Sequence, residues 1–180
     1  SKYNTIDFLI KTKKTANKDH IQYIYSDGID TSGQTDINSY KTLILMCGFD
    51  EKKHGYMNPC ANIIDDDVGK KDTGSDNYKA MPFYPTNPYD DNAFICNIML
   101  NKDTNGDLQM YTEENDLIED NTIVEFRYDK NKETGYRWIP IRVRHDKTAE
   151  FRSGQKNYGN AYHVAQSVWH SIHNPITTEI

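Results

Sequence analysis

The stretch Tyr136-Arg-Trp-Ile-Pro-Ile-Arg-Val-Arg-His-Asp-Lys147 decides the fold, because it alternates apolar and charged residues before it ends in a compact charged cluster. Successive side chains of a β-strand point to opposite faces, so this alternation predicts a strand. The face expected to pack carries three apolar side chains, Ile139, Ile141 and Val143. The opposite face is expected to carry an indole and two permanent cations, Trp138, Arg142 and Arg144. This pattern, closed by Asp146-Lys147, indicates a surface for phosphate.

Basic residues are concentrated around this strand, although the chain as a whole is acidic. The 180 residues include 21 basic and 27 acidic side chains, a net charge of −6. Residues 127–156 hold nine Lys or Arg and four Asp or Glu, a local charge of +5, which leaves 12 basic and 23 acidic side chains, or −11, elsewhere. Such a concentration attracts anionic ligands. The alternative is an ordinary solvated hairpin with Lys130 and Lys132 at its tip.

Further strands are predicted from apolar alternation and from turn signals. They cover residues 5–11, 20–25, 40–49, 93–100, 107–111 and 122–128. The polar residues 26–39 are predicted to form a loop, and the acidic residues 112–120 a short helical turn capped by Thr112. The pattern Asp103-x-Asn105-Gly-Asp107 is similar to a calcium loop, but its glycine falls one place early, so a hairpin is favoured.

The composition changes over residues 50–92, which are predicted to form a long insertion between strands. The first half is acidic, and the second half interleaves prolines with aromatic residues, namely Pro82, Phe83, Tyr84, Pro85, Pro88 and Tyr89. We expect the rings to hold the second half against the core. Contact with a partner domain is the alternative.

The clearest helix is predicted at residues 159–173, where apolar residues recur at helical spacing, namely Ala161, Val164, Ala165, Val168 and Ile172. Asn157 or Asn160 is expected to cap its start. His163 and His170 are two turns apart, too far to share one metal without a third element, so they are interpreted as surface histidines and no metal site is predicted.

Three cysteines, Cys47, Cys60 and Cys96, are too few and too widely spaced for a disulfide framework. Cys47 and Cys96 lie in apolar runs and are expected to be core thiols, which favours a reducing compartment. No apolar stretch is long enough to predict a membrane span.

Four segments carry a resemblance to a known family. The cluster Arg144-His-Asp-Lys147 resembles the last motif, Arg-x-Asp-Lys, of mRNA capping guanylyltransferases of the covalent nucleotidyltransferase superfamily, and Ile123-Val-Glu-Phe-Arg-Tyr-Asp129 resembles the strand before it. Asn4-Thr-Ile-Asp-Phe-Leu9 resembles the segment that follows the nucleotidyltransferase domain. Residues 157–178 resemble the region that leads to a cap methyltransferase domain in capping enzymes of large DNA viruses.

The resemblance implies a mainly β, OB-fold-like barrel with the long acidic insertion and the C-terminal helix, in one domain over residues 1–180. In the family this domain closes on the nucleotide-bound domain and contacts GTP phosphates during GMP transfer to RNA 5′ ends. By position, Arg144 and Lys147 would bind phosphate, and Asp146 would orient Arg144 or Lys147 or help to place the pyrophosphate. Arg142 and Trp138 are assigned to nucleotide or RNA contact, with packing of Trp138 against the cations or the strand as the alternative. GTP is the implied substrate, with Mg or Mn bound in the complete enzyme but not by this domain.

The nucleophile of the family is absent from this sequence. It lies in a Lys-x-Asp-Gly motif, whereas the only Asp-Gly here is Asp27-Gly28, preceded by Tyr25-Ser26. We therefore expect a fragment of a larger multidomain enzyme, inactive alone. The implied partners are an upstream nucleotidyltransferase domain, a downstream cap methyltransferase domain and the RNA 5′ end, without a membrane. The implied location is the host cytoplasm, in a viral factory, or the virion.

Two other functions share these features. The OB domain of an ATP-dependent DNA or RNA ligase also carries Arg-x-Asp-Lys, although the Asn4-Thr-Ile-Asp-Phe start and the Trp138-Ile-Pro-Ile-Arg spacing favour capping. A non-catalytic OB module would bind single-stranded RNA through aromatic and basic side chains.

Overall fold

A computed structural model describes residues 4–15, 18–19, 21–29, 35–50 and 77–175 of the chain. A three-stranded antiparallel ladder carries the decisive stretch. It consists of β1 (Thr5–Thr12), β11 (Thr122–Tyr128) and β12 (Trp138–Val143). Its central strand, β11, pairs with both neighbours, so that the start of the described chain lies beside its later half.

The long strand β5 (Thr35–Asp50) connects this ladder to the rest of the main sheet. It pairs antiparallel with β1 and with three further strands, β4 (Ile21–Ile29), β6 (Tyr78–Pro82) and β7 (Ile95–Met99). The sheet runs in the order β12-β11-β1-β5-β4, with β6 and β7 also paired to β5. One strand therefore organises four neighbours, which bends the sheet around a single core.

Smaller pairings lie outside this sheet. A three-stranded sheet contains β8 (Asn101–Lys102), β9 (Leu108–Tyr111) and β10 (Leu117–Ile118). A short hairpin is formed by β2 (Lys14–Thr15) and β3 (Lys18–Asp19). The carboxylate of Asp103 accepts hydrogen bonds from the amides of Asn105 and Asp107 in the β8–β9 turn, which confirms the predicted hairpin there.

Two helices follow β12 directly, α1 (His145–Arg152) and α2 (Tyr162–His173). Helix α1 begins one residue after Arg144 and covers the outer face of β11, where the buried hydroxyl of Thr148 accepts a hydrogen bond from the Ile123 amide at 2.9 Å. Helix α2 closes the core. Neither described helix is long and apolar enough to cross a membrane.

The two ends of the curved sheet approach each other at β7 and β12. The indole N–H of Trp138 donates to the Ala93 carbonyl at 2.9 Å, and the Asn97 amide donates to the Gly135 carbonyl at 2.9 Å. No β-ladder joins β7 to β12 within the described ranges. The fold is mainly β and OB-like, with a C-terminal helix, as predicted.

Aromatic rings dominate the core. Its largest fully buried side chains include Phe8, Phe83, Phe126 and Trp169, and the Trp138 ring stands edge-on to Phe8 at 5.2 Å between centroids. Aromatic residues each bury a large apolar area, so this cluster contributes strongly to hydrophobic stabilisation beside the buried Ile, Leu and Val side chains. Phe83 comes from the described part of the predicted insertion and is buried as predicted, whereas Tyr84 and Tyr89 are 51% and 73% exposed. The predicted insertion also contains the strand β6, which pairs with β5 in the main sheet.

A β-bulge changes the predicted faces of β12. Glu125 pairs with Arg142, but the next residue, Phe126, pairs with Pro140, which leaves Ile141 as an extra residue. The extra residue reverses the alternation, so Trp138, Pro140 and Val143 are buried while Ile139 and Ile141 are only half-buried. The prediction that Trp138 shares a face with Arg142 and Arg144 is therefore wrong.

Two other local predictions are corrected. The predicted loop at 26–39 contains the end of β4 and the start of β5, since Ile29 pairs with Thr35 and residues 37–39 pair with residues 23–25. The predicted helical turn at 112–120 is replaced by two turn residues and the strand β10, although the Thr112 hydroxyl does accept a bond from the Asp116 amide. Residues 51–76, most of the predicted insertion, lie outside the described residues.

The start of α2 differs from its prediction. Helix α2 begins after Ala161, without a side-chain cap. The side chain of Asn160, a predicted cap, instead accepts a hydrogen bond from the Asp7 amide at 2.9 Å. The predicted apolar face also omitted Trp169, which is fully buried and donates through its indole N–H to the Pro88 carbonyl at 2.8 Å.

Candidate functional site

The Arg-x-Asp-Lys cluster lies at the junction of β12 and α1. Arg144 is the residue before the helix, in an extended conformation. Its amide donates to the Ile123 carbonyl at 2.7 Å, and its carbonyl accepts from the Thr148 amide at 2.9 Å. Strand β11 and the first turn of α1 therefore fix the backbone of Arg144 from both sides.

Asp7 brings the two cations of the motif together. One of its carboxylate oxygens, Oδ2, accepts a hydrogen bond from Arg144 Nη1 at 2.8 Å and from Lys147 Nζ at 2.7 Å. Asp7 is only 5% exposed, whereas the side chains of Arg144 and Lys147 are 26% and 25% exposed. The acid is thus enclosed, and the cations lie between it and solvent.

The backbone of Asp7 is held from the other side of β1. The Asn160 side chain accepts from the Asp7 amide, and the Asn160 amide donates to the Asp7 carbonyl at 2.8 Å. Gly159 forms an isolated antiparallel bridge to Phe8 and has a φ of +85°. A Cβ on Gly159 would lie 2.5 Å from the Asp7 carbonyl oxygen, so the close approach requires glycine.

Asp146, the third residue of the motif, is directed toward solvent. Its side chain is 71% exposed, and its Oδ2 lies 3.8 Å from Arg144 Nη2. The backbone N–H of Lys147 lowers the pKa of this carboxyl below its usual value, and the charge of Arg144 lowers it further. Asp146 is therefore an ionised group beside Arg144.

Arg142 lies on the same outer face, one strand pair away from Asp7. The register aligns Asp7 with Glu125 and Glu125 with Arg142. Arg142 Nε donates to Glu125 Oε1 at 2.6 Å, and the Thr5 hydroxyl donates to Oε2 at 2.7 Å. Burial alone would raise the pKa of Glu125, but the bonds from Thr5 and Arg142 outweigh it and the pKa is lowered.

Acidic residues from other segments compensate the basic charge of residues 127–156. Asp7 pairs with Arg144 and Lys147, Glu125 pairs with Arg142, and the carboxylate of Glu113 binds Arg127 through two hydrogen bonds. These contacts pair four of the nine basic side chains of the segment with acids that lie outside it. The site offers two cations, Arg144 and Lys147, that converge on one carboxylate oxygen of Asp7.

The structure places Trp138 away from this site. Trp138 is 3% exposed, and its ring packs among Phe8, Phe126 and Trp169. We therefore assign Trp138 to the core rather than to a nucleotide or RNA contact. Arg144, Asp146 and Lys147 lie together as predicted, and Arg142 lies beside them on the same face.

The donor set at this site does not fit a metal ion. The Asp7 carboxylate is neutralised by two cations, and Asp146 is a single exposed carboxylate beside Arg144. Among the described residues, no group of three or more His, Cys, Asp or Glu could hold a metal. His170 and His173 instead contact backbone carbonyls through Nδ1.

Three residues of the site were not predicted from the sequence as site residues, namely Asp7, Glu125 and Asn160. Asp7 had a visible signal, because it is a charged residue in the middle of the apolar run from Ile6 to Ile10, and a buried charge requires partners. Asn160 had no comparable signal, since its role depends on the close approach of a loop to β1.

The fold and the site together define a mainly β, OB-like domain with an Arg-x-Asp-Lys cluster on its outer face. The chain belongs to the family of the mRNA capping enzyme, C-terminal domain, whose family model matches residues 3–180. The predicted family is thereby confirmed, and the ligase alternative is disfavoured.

A viral protein is among the relatives. The chain is 47% identical over 66 residues to a probable mRNA-capping enzyme of Acanthamoeba polyphaga mimivirus. This match covers 35% of the chain and 6% of the relative, which is therefore a far longer protein. The relative agrees with the predicted likeness to capping enzymes of large DNA viruses. No solved structure matches the chain.

Proposed function

We propose that this chain is the domain of an mRNA capping enzyme that closes on an upstream nucleotidyltransferase domain and contacts GTP phosphates during GMP transfer to RNA 5′ ends. In this role Arg144 and Lys147 bind phosphate oxygens, and Asp146 orients Arg144. Family membership and the arrangement of these three side chains support the proposal. Catalysis requires the complete enzyme, because the Lys-x-Asp-Gly nucleophile is absent from this sequence.

One observation carries the proposal. Arg144 Nη1 and Lys147 Nζ lie 2.8 and 2.7 Å from the same oxygen atom, so the two side chains converge on a space as small as one anionic oxygen. A guanidinium carries five N–H groups and an ammonium three, and the bonds to Asp7 use one donor of each. Both cations therefore keep donors for a second anion.

The chemistry of guanylyl transfer needs such a pair. When a lysine attacks GTP, negative charge develops on the departing pyrophosphate and must be stabilised. Arginine binds two phosphate oxygens in a forked geometry, and lysine adds a mobile point charge. A cluster at the surface of a separate domain reaches the phosphates only when that domain closes, which excludes water and completes the active site.

The remaining parts of the proposal concern groups outside this chain. GTP is the substrate, and Mg or Mn would be held by the complete enzyme, since the acids of this cluster are engaged with cations. A cap methyltransferase domain downstream and the RNA 5′ end are the other proposed partners. The proposed location is the reducing environment of the host cytoplasm, in a viral factory, or the virion.

The alternative of a single-stranded RNA-binding module has less support. That function relies on aromatic rings beside basic residues. Here Trp138 is buried and the neighbouring arginines are paired with carboxylates. RNA binding by the whole protein that depends steeply on salt, together with normal guanylylation in Arg144 variants, would favour this alternative.

Substitution in the full-length enzyme tests the proposal. We expect Arg144→Ala and Lys147→Ala each to reduce formation of the labelled enzyme–GMP adduct by about 100-fold or more, the usual cost of removing one preorganised transition-state donor. Lys156→Ala is a control, because it removes an exposed lysine near the end of the same basic segment. Adduct formation at the normal rate in both variants would contradict the proposal.

A further inference from the structure

We propose that Asp7 is a positioning residue for the phosphate-binding cations: its carboxylate holds Arg144 and Lys147 in the orientation in which both meet the triphosphate. This inference rests on the proposed function and assigns a role within the same site to a residue of a different strand. Asp7 lies on β1, whereas both cations lie at the junction of β12 and α1.

The hydrogen bonds show how Asp7 would orient the cations. Both bonds end on Oδ2, so they set the direction of the guanidinium and of the ammonium relative to one fixed point. Without the carboxylate, two like charges would face each other in a site where each side chain is three-quarters covered. Their mutual repulsion and restored rotamer freedom would separate them.

Asp7 is itself rigidly held, which a positioning residue requires. Two hydrogen bonds tie its backbone to Asn160, and Gly159 packs against its carbonyl group. On its other side, β1 is paired with β11 along six residues. A side chain on such a rigid support fixes its neighbours to within the tolerance that catalysis demands.

The enclosure and anchoring of Asp7 argue against the other role it could have, that of a competitor of the phosphates for the two cations. A competitor must leave when the ligand arrives, but Asp7 is 5% exposed and its backbone is anchored. The cations, by contrast, face solvent with donors to spare. Phosphate therefore adds to the contact with Asp7 rather than replacing it. The two roles predict opposite effects of neutralising Asp7, which makes them separable by experiment.

The test is Asp7→Asn in the full-length enzyme, with the rate of enzyme–GMP formation measured across GTP concentrations. We expect the half-saturating GTP concentration to rise about tenfold, because a misplaced binding group loses part of its contact with the phosphates, in a variant that keeps its fold. Glu113→Gln is the matched control, since it neutralises a carboxylate that binds Arg127 on an adjacent part of the molecule. This control should leave the half-saturating concentration unchanged.

A double substitution separates positioning from a general structural role. If Asp7 acts through Lys147, the effect of Asp7→Asn on half-saturation should shrink when Lys147 is already alanine, because groups that act together are not additive. An effect that is equally large in the Lys147→Ala and in the Arg144→Ala background would overturn the proposal, as would an unchanged or lowered half-saturating concentration in Asp7→Asn alone. A lowered value would identify Asp7 as a competitor of the phosphates.

Two further outcomes are distinguishable. If Asp7→Asn does not fold, Asn160→Ala tests the same idea, because it removes a support of Asp7 and leaves every charge in place. We expect this variant to raise the half-saturating GTP concentration about threefold. No rise would overturn the proposal. Normal guanylylation in Arg144→Ala and Lys147→Ala would contradict the proposed function. If guanylylation fails in Arg144→Ala and Lys147→Ala but is normal in Asp7→Asn, only the role of Asp7 is contradicted.

Discussion

At the scale of single residues, the molecule depends on a few enclosed polar contacts and close approaches. The loop before α2 reaches β1 at Gly159 and Asn160, and it does so where a Cβ would lie 2.5 Å from the Asp7 carbonyl oxygen. Gly159 also has a left-handed φ of +85°, which side chains rarely adopt. This contact thus joins the helical end of the chain to the strand that carries Asp7.

Gly159→Ala should therefore destabilise the chain by about 2–4 kcal/mol, from backbone strain together with the displaced β1 backbone. Gly154→Ala is the matched control, because Gly154 has a similar φ of +95° but no atom within 4 Å of an added Cβ. The control should cost about 1 kcal/mol from φ alone. Urea unfolding measures the free energy of unfolding of both variants. Equal losses of this free energy would show that the close approach of Gly159 to the Asp7 carbonyl is unimportant.

The buried cysteines give a second prediction at this scale. Burial raises the pKa of both Cys47 and Cys96 to about 12, so almost no reactive thiolate forms in the folded chain at pH 8. In a Cys60→Ser background, iodoacetamide should leave both thiols unmodified at pH 8 and modify them after unfolding in urea. Rapid labelling of the native chain, detected by mass spectrometry, would contradict their burial.

At the scale of secondary structure elements, α2 completes the core with two fully buried side chains, Ala165 and the much larger Trp169. Trp169 is fully buried, its ring lies 5.9 Å from Phe83 and 5.0 Å from Tyr128, and its indole N–H reaches the Pro88 carbonyl. Helix α2 has no side-chain cap at its start, so its stability depends on this packing more than on local signals.

Trp169→Ala should destabilise the chain by about 3–5 kcal/mol, the usual cost of removing a buried aromatic residue. Val164→Ala, on the exposed side of the same helix, should cost less than about 1 kcal/mol, because Val164 is 39% exposed. Thermal unfolding followed by circular dichroism compares the two. A small effect of Trp169→Ala would mean that α2 is not needed to close the core.

At the scale of the whole molecule, the sequence predicted the strands that alternate simply and missed the features created by contact between distant segments. Strands β1 and β11 were predicted to within one residue, since their apolar residues alternate or run together. The bulge at Ile141 was not predictable, because it depends on the register with β11. The polar start of β5 was mistaken for a loop, since cross-strand pairing rather than apolar content supports it.

In the site, too, the residues of a local motif were predicted and the partners from distant segments were missed. Arg144, Asp146 and Lys147 were identified because they are consecutive in a recognisable motif, and they lie together in the structure. Asp7 is separated from Lys147 by 140 positions, and only the pairing of β1 with β11 brings them together. Long-range partners of this kind follow from topology, which local patterns do not contain.

The most direct test of the central claim is a crystal structure of the full-length enzyme in its closed state with GTP. The account predicts that Arg144 and Lys147 donate hydrogen bonds to oxygens of the β or γ phosphate, while Asp7 remains bonded to both side chains. A closed structure in which this cluster lies away from the triphosphate, with Arg144 and Lys147 bonded only within this domain, would contradict it.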